Sequence, residues 1–137
     1  MTTVLPPTEV GGGGIGFEAV MPPERERVAE ARRSTAAWLT RWDIPVETDA
    51  AVLIVSELVT NGIVHGTGTV RLRVLYKRDT LWIGVTDEST VYPQLKNAGD
   101  NDVGGRGLFL VEALAKEWGT TGRMTWAILA GRAGDTR

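Results

Sequence analysis

Several residue types and patterns are missing from the chain, and each absence narrows the class of protein. There is no cysteine, which excludes disulfides, thiol nucleophiles and metal sites built on cysteine. The 15 basic and 17 acidic residues give a formal charge of -2, so the positive field typical of a duplex-binding protein is absent. No apolar run reaches the length of a membrane span, and the N-terminus lacks the basic and apolar segments of a secretion signal. These absences predict a cytoplasmic protein that binds neither nucleic acid nor membrane.

The composition that remains is typical of one globular domain. The 137 residues are 42% hydrophobic and 23% charged, and a chain of this length can bury a substantial core. Residues 1–14 contain Pro6, Pro7 and four consecutive glycines, a mixture that predicts a flexible leader. Residues 131–137 are small and charged, and predict a flexible tail. The folded domain is therefore expected over residues 15–130.

Hydrophobic periodicity predicts an α+β fold. Apolar residues at helical spacing indicate helices, and period-two alternation indicates strands. The expected order is a strand at 15–20, helices at 24–42 and 49–65, strands at 69–76 and 81–87, an irregular loop at 88–104, a helix at 106–118 and a strand at 124–130. Adjacent hairpin strands and clustered helices favour a two-layer sandwich, in which helices cover one face of a mostly antiparallel, mixed sheet.

The second predicted helix carries polar residues where an apolar helix needs none. Glu57, Asn61 and His65 are spaced by four, so they share one face, while the flanking residues are mostly Val, Ile and Leu. A polar stripe of this kind either reaches solvent or lines a cavity, and the apolar flanks favour a cavity. A carboxylate and a carboxamide one turn apart offer a base and a hard oxygen ligand for Mg²⁺. His65 is interpreted as a capping or packing group.

Two further segments carry polar or glycine-rich signals. Asp87 follows an apolar strand, where a carboxylate either forms a turn or accepts a hydrogen bond from an exocyclic amine. Gly104, Gly105 and Gly107 precede an amphipathic helix, whose first amides favour anions such as phosphate. The segment fits neither GxGxxG, because Leu110 occupies the last position, nor a loop ending in GK[ST].

These segments, taken together, resemble a known family. The stretches "ELVTN" with "HG", "VTDES" and "GGRGLFLVEALAKEWG" occur in the order and at the separations of the motifs of the GHKL, or Bergerat, ATP-binding fold. Gyrase and histidine kinases share that fold. The chain is similar in particular to the small bacterial anti-sigma-factor serine kinases, over about residues 17 to 130.

The resemblance implies a role for each matching residue. Glu57 would be the general base, and Asn61 would bind Mg²⁺ and the nucleotide. Asp87 would receive the adenine amino group. Gly105 and Gly107 would belong to a lid over the phosphates. Arg106 and Leu108 complete that segment of the ATP site. ATP and Mg²⁺ are therefore the expected cofactors.

The resemblance also implies a function and leaves alternatives open. It implies a protein serine kinase that binds a sigma factor and phosphorylates an anti-anti-sigma protein with a STAS domain, and it allows a homodimer. The alternative is a regulatory protein that binds nucleotide or a partner without catalysis. A histidine kinase is disfavoured, because the only histidine, His65, lies within the proposed motif. The chain departs from its relatives at residues 123–126, where Arg-Met-Thr-Trp replaces Lys-Thr-Val-Trp and the threonine is replaced or shifted by one.

Overall fold

The computed structural model describes residues 2–10, 13–89 and 105–132, which form six strands and three helices. The elements are β1 (Thr3–Val10), β2 (Gly14–Met21), α1 (Arg27–Arg41), α2 (Thr48–His65), β3 (Val70–Lys77), β4 (Thr80–Thr86), α3 (Gly105–Leu114), β5 (Glu117–Thr121) and β6 (Met124–Ala130). None of the helices in these ranges is both long and apolar enough to cross a membrane.

The sheet and the helices form two layers. The strand order is β1-β2-β3-β4-β6-β5, and every pairing between the described strands is antiparallel. In β3, Val70, Leu72 and Val74 are buried while Arg71 and Arg73 are exposed, so one face of this strand lies in the core. Helix α2 packs against β3, β4 and β6, and α1 packs against β2 and α2. The predicted α+β two-layer sandwich is confirmed, with an antiparallel sheet rather than a mixed one.

The segment predicted as a flexible leader contains the first strand. Residues Thr3–Val10 pair with β2, for example Val4 opposite Ala19, and the pairing shifts between Leu5 and Thr8. Pro6 and Pro7 occupy this irregularity, where their missing N–H groups interrupt the ladder least. The prolines and glycines of this segment indicated disorder. Thr3, Val4 and Leu5 nevertheless pair with β2, because β2 offers them a free strand edge.

The third helix is shorter than predicted and is followed by a strand. Helix α3 ends at Leu114, and the amide of Lys116 donates to the Ile128 carbonyl of β6 at 2.7 Å, which draws the chain into the sheet. Trp118, expected on this helix, lies in β5 and packs against the core. The helical spacing of Trp118 was therefore misleading, because pairing with β6 overrides it.

The ends of the predicted loop and tail are described only in part. The loop expected over 88–104 is described to residue 89, and the remainder lies outside the described residues. In the tail, the amides of Gly131 and Arg132 donate to the carbonyls of Asp79 and Pro45, both at 2.8 Å. The first two tail residues are therefore attached to the domain, and residues 133–137 lie outside the described part of the chain.

Candidate functional site

Helix α2 has a buried side and an open side. Its buried residues are Ala51, Ile54, Val55, Ser56, Leu58 and Val59. Glu57 and Asn61 are partly buried, and they lie on the same stripe as Leu53 and Val64, which are 36% and 39% exposed. The four residues follow one another at helical spacings of three and four. The sequence thus placed the polar stripe correctly on one face of a helix.

The open side of α2 differs from the expectation in one respect. The apolar flanks predicted a helix buried on most sides, yet Leu53 and Val64 are exposed beside the polar pair. Exposed apolar side chains next to a carboxylate and an amide are typical of a surface that binds a ligand. Phe109 and Leu110 on α3, the helix that packs against α2, are also exposed. The stripe therefore borders a face that is both apolar and polar.

Asp87 lies beside the C-terminal end of α2, although it is not part of that helix. It follows β4 directly, and its Oδ1 accepts a hydrogen bond from the Ser89 amide at 2.5 Å. A Cβ atom on Gly66, the residue that ends α2, would overlap the Asp87 carboxylate. The carboxylate therefore packs directly against the end of the helix that carries Glu57 and Asn61.

The end of α2 and the end of β4 are held together by short contacts. The amide of Glu88 donates to the Thr67 carbonyl at 2.8 Å, and the Glu88 side chain lies over Gly68. Gly68 has a φ of +71°, a conformation that glycine adopts without strain. Earlier in α2, a Cβ on Gly62 would lie 3.1 Å from Val85 Cγ1, so the helix lies very close to the sheet. Gly62 therefore weakens the isolated helix by ~1 kcal/mol but permits this approach.

Strand β6 places a threonine on the same face of the sheet as Asp87. Thr125 pairs with Val85, and Met124 pairs with Thr86. Because side chains alternate along a strand, Thr125 lies on the helix-facing side, and Met124 lies on the other side, next to Gly84. Thr125 lies opposite Val85, which precedes Asp87 by two residues in the chain. A threonine is therefore present on the helix-facing side of the strand next to β4.

The glycine-rich segment lies within the first turn of α3. Gly105 is the first residue of the helix, and Gly107 follows inside it, whereas the sequence predicted that the glycines precede the helix. Leu108 is partly buried, and Val111, one turn later, is fully buried in the core. Residues 105–107 thus form the first turn of the helix that packs against α2, and the structure does not describe the Arg106 side chain.

Two further observations bear on the predicted ligands. His65, interpreted from the sequence as a capping or packing group, is exposed in the last turn of α2. Within the described residues, no three His, Cys, Asp or Glu side chains converge to hold a metal by themselves. Mg²⁺ commonly takes one or two protein oxygens and completes its shell with phosphate and water, so the carboxamide of Asn61 fits that requirement.

A comparison with known protein families agrees with this arrangement. A carboxylate at a strand end, an acid and an amide on one helix, and a glycine-rich helix start on an α+β sandwich define an ATP-binding domain of the GHKL type. A family model for the histidine kinase-like ATPase domain matches residues 21–129, which include all of these groups. The chain belongs to this family. None of the curated proteins matches the chain significantly.

The contact between Gly66 and Asp87 gives a direct test of the site. Gly66→Ala is expected to weaken ATP binding by about tenfold or more, because the new methyl displaces a carboxylate whose hydrogen bonds to a ligand contribute ~1.5–3 kcal/mol. Alanine can adopt the φ of Gly66, -96°, but its Cβ would also lie 2.5 Å from the Gly62 carbonyl oxygen, so circular dichroism must first show that the variant is folded. Isothermal titration calorimetry measures the affinity. Gly13→Ala is the control for backbone strain without a clash, because Gly13 has a φ of +85° and a Cβ there meets nothing within 4 Å. Equal ATP affinity in wild type and Gly66→Ala would contradict the role of this contact.

Proposed function

We propose that the protein is an anti-sigma factor with Mg²⁺- and ATP-dependent serine kinase activity. Its phosphoryl acceptor would be a serine of an anti-anti-sigma protein with a STAS domain. The single observation that supports this most is the position of the Asp87 carboxylate against Gly66, at the end of the helix that presents Glu57 and Asn61 on its open side. Membership of the histidine kinase-like ATPase family supplies ATP as the ligand.

The proposed chemistry assigns one task to each part of the site. Asp87 accepts a hydrogen bond from the adenine amino group, and Asn61 binds Mg²⁺, which neutralises charge on the phosphates. The backbone of Gly105 and Gly107, in the first turn of α3, approaches the phosphates, with Arg106 and Leu108 completing that side. Glu57 accepts the proton of the attacking serine hydroxyl. Phosphoryl transfer requires mainly position and charge neutralisation, which a domain of this size can provide.

The proposed regulation is a competition between two partners. The sigma factor and the anti-anti-sigma protein would bind this domain alternately, and phosphorylation would release the anti-anti-sigma protein. Each partner then lowers the apparent affinity of the other through the shared domain. A homodimer is compatible with this scheme and is not required by it.

Nucleotide selectivity is the first measurable consequence. We expect Mg·ATP to raise the melting temperature of the protein and Mg·GTP to leave it unchanged, because a ligand that binds only the folded state stabilises it. GTP carries a carbonyl oxygen where ATP carries the 6-amino group, so in the same pose guanine presents an acceptor to Asp87 instead of a donor. Asp87→Asn should remove most of the response to ATP. Differential scanning fluorimetry with both nucleotides measures this, and equal shifts with ATP and GTP would contradict the role of Asp87.

Transfer of phosphate distinguishes the kinase from a protein that only binds. The purified domain is incubated with Mg·ATP and a STAS-domain protein, and the intact mass of the acceptor is followed. Addition of one phosphate to a serine supports the kinase. Stable complex formation without any mass change would favour the alternative, a regulatory protein of the same fold without catalysis.

A further inference from the structure

A second surface feature lies away from α2, between the edge strand and the first helix. A groove of about 360 Å³ separates β1 from α1, a volume within the range of ~300–1,000 Å³ found for ligand sites. It exists because α1 packs over β2, while β1 extends the sheet one strand further. The side chains that matter for its chemistry are Val4, Leu5, Phe17, Trp38, Arg41 and Trp42.

The groove gathers exposed apolar side chains. Among the described residues, seven large hydrophobic side chains are exposed, and four of them lie on α2 and α3. The other three are Val4, Leu5 and Trp42, which are 49%, 36% and 45% exposed and all border this groove. Trp42 caps the C-terminal end of α1 and stays at the surface. Clustered exposed hydrophobics of this kind mark interaction sites.

The wall of the groove contains a buried donor without an acceptor. Trp38 is 5% exposed and packs against Phe17, with the ring centroids 5.1 Å apart. Its Nε1–H has no hydrogen-bond acceptor among the described residues, whereas Trp126 Nε1 donates to Thr121 Oγ1 at 3.1 Å. A buried donor that is left unsatisfied costs ~1–3 kcal/mol. This N–H is closed to solvent, so it does not contact a ligand directly and serves as a reporter in the groove wall.

The rim of the groove carries a cation without a counter-charge. Arg41 is exposed and forms no ion pair within the described ranges. At the other end of α1, Arg27 is held by Glu24 and Glu30, each at 2.7 Å. The guanidinium of Arg41 is therefore available to a carboxylate from outside, next to an apolar surface.

We propose that this groove binds a short segment of a protein partner that carries a bulky apolar side chain and, within one helical turn of it, a carboxylate. The apolar side chain fills the space between Leu5 and Trp42, and the carboxylate pairs with Arg41. The groove is open along the surface and bordered by an exposed tryptophan, which suits a protein segment better than a small molecule, whose site would enclose most of it.

The test uses a library of random twelve-residue peptides displayed on phage. Selection against the wild-type protein is paired with counter-selection against Ala37→Trp, which fills the groove from α1, where Ala37 is exposed. We expect enriched sequences to share a bulky apolar residue and an acid within four positions of it. Circular dichroism confirms that the filled variant is folded. A selection that enriches no peptide over the filled variant would overturn the proposal.

Individual peptides then test the role of charge. Arg41→Glu should weaken the binding of an enriched peptide by about tenfold or more, because like charges facing each other are repulsive. Arg33→Glu, the same change at an exposed position of α1 outside the groove, should leave the affinity unchanged. The Trp38 indole N–H resonance, assigned by its loss in Trp38→Phe, should shift on peptide addition. The proposal is wrong if both arginine variants behave alike, or if decanoate saturates the groove and no peptide does.

Discussion

Glu57→Gln is expected to slow phosphate transfer to the serine of a STAS-domain partner by about 10²- to 10⁴-fold, the contribution typical of a general base. The carboxamide keeps the shape of the carboxylate but cannot accept the proton of the attacking hydroxyl. Glu57 is partly buried on the open side of α2, so the substitution removes little packing. A single-turnover assay at saturating Mg·ATP measures the loss, since such an assay separates the chemical step from binding.

Two controls make this result specific to Glu57. The melting-temperature increase with Mg·ATP should be retained in Glu57→Gln, because the base does not hold the adenine. Glu47→Gln, the same substitution at an exposed position just before α2, should transfer phosphate at the wild-type rate. If Glu57→Gln is as fast as wild type, the base lies elsewhere and the assignment is wrong.

Substitutions on the two sides of α2 should differ sharply in their effect on the free energy of unfolding. Leu58 is 1% exposed, so Leu58→Ala is expected to lower the free energy of unfolding by ~2–5 kcal/mol through lost burial and a residual cavity. Leu53, on the same helix, is 36% exposed, and Leu53→Ala should cost less than about 1 kcal/mol. Urea denaturation followed by circular dichroism gives both values, provided that the m-values stay equal.

This pair of leucines tests whether the stripe is open. The proposed site requires that Glu57 and Asn61 face a side of α2 that the core does not cover. Similar losses for the two substitutions would show that α2 is packed all round, and the site would then have no room for a nucleotide.

The elements that the sequence predicted well are those with a strong and uninterrupted pattern. Helix α2 was predicted from Asp49 and begins at Thr48, because its apolar residues fill most positions and Gly66 ends it. The alternation in β3 and β4 predicted the hairpin that brings Asp87 to the end of β4. In these segments the local hydrophobic period was enough to predict the element, because the local sequence pattern agrees with the burial that the whole fold imposes.

Other features could not be read from local sequence because they depend on distant partners. Strand β5 has only five residues and pairs with β6, so its helical spacing was misleading. The packing of Asp87 against Gly66 joins two segments that are 21 positions apart in the chain. The face on which Thr125 lies follows from the register between β4 and β6, and a shift by one residue would have reversed it.

The two prolines of β1 limit how another chain can bind to this edge of the sheet. Neither Pro6 nor Pro7 has an amide hydrogen, and both lie in the irregular part of β1, so this edge strand lacks a regular row of donors. A foreign strand would find an interrupted row of donors and could not extend the sheet here by a continuous ladder. The same interruption disfavours the association of copies into fibrils through this edge. A partner that binds at this edge must therefore be recognised through its side chains.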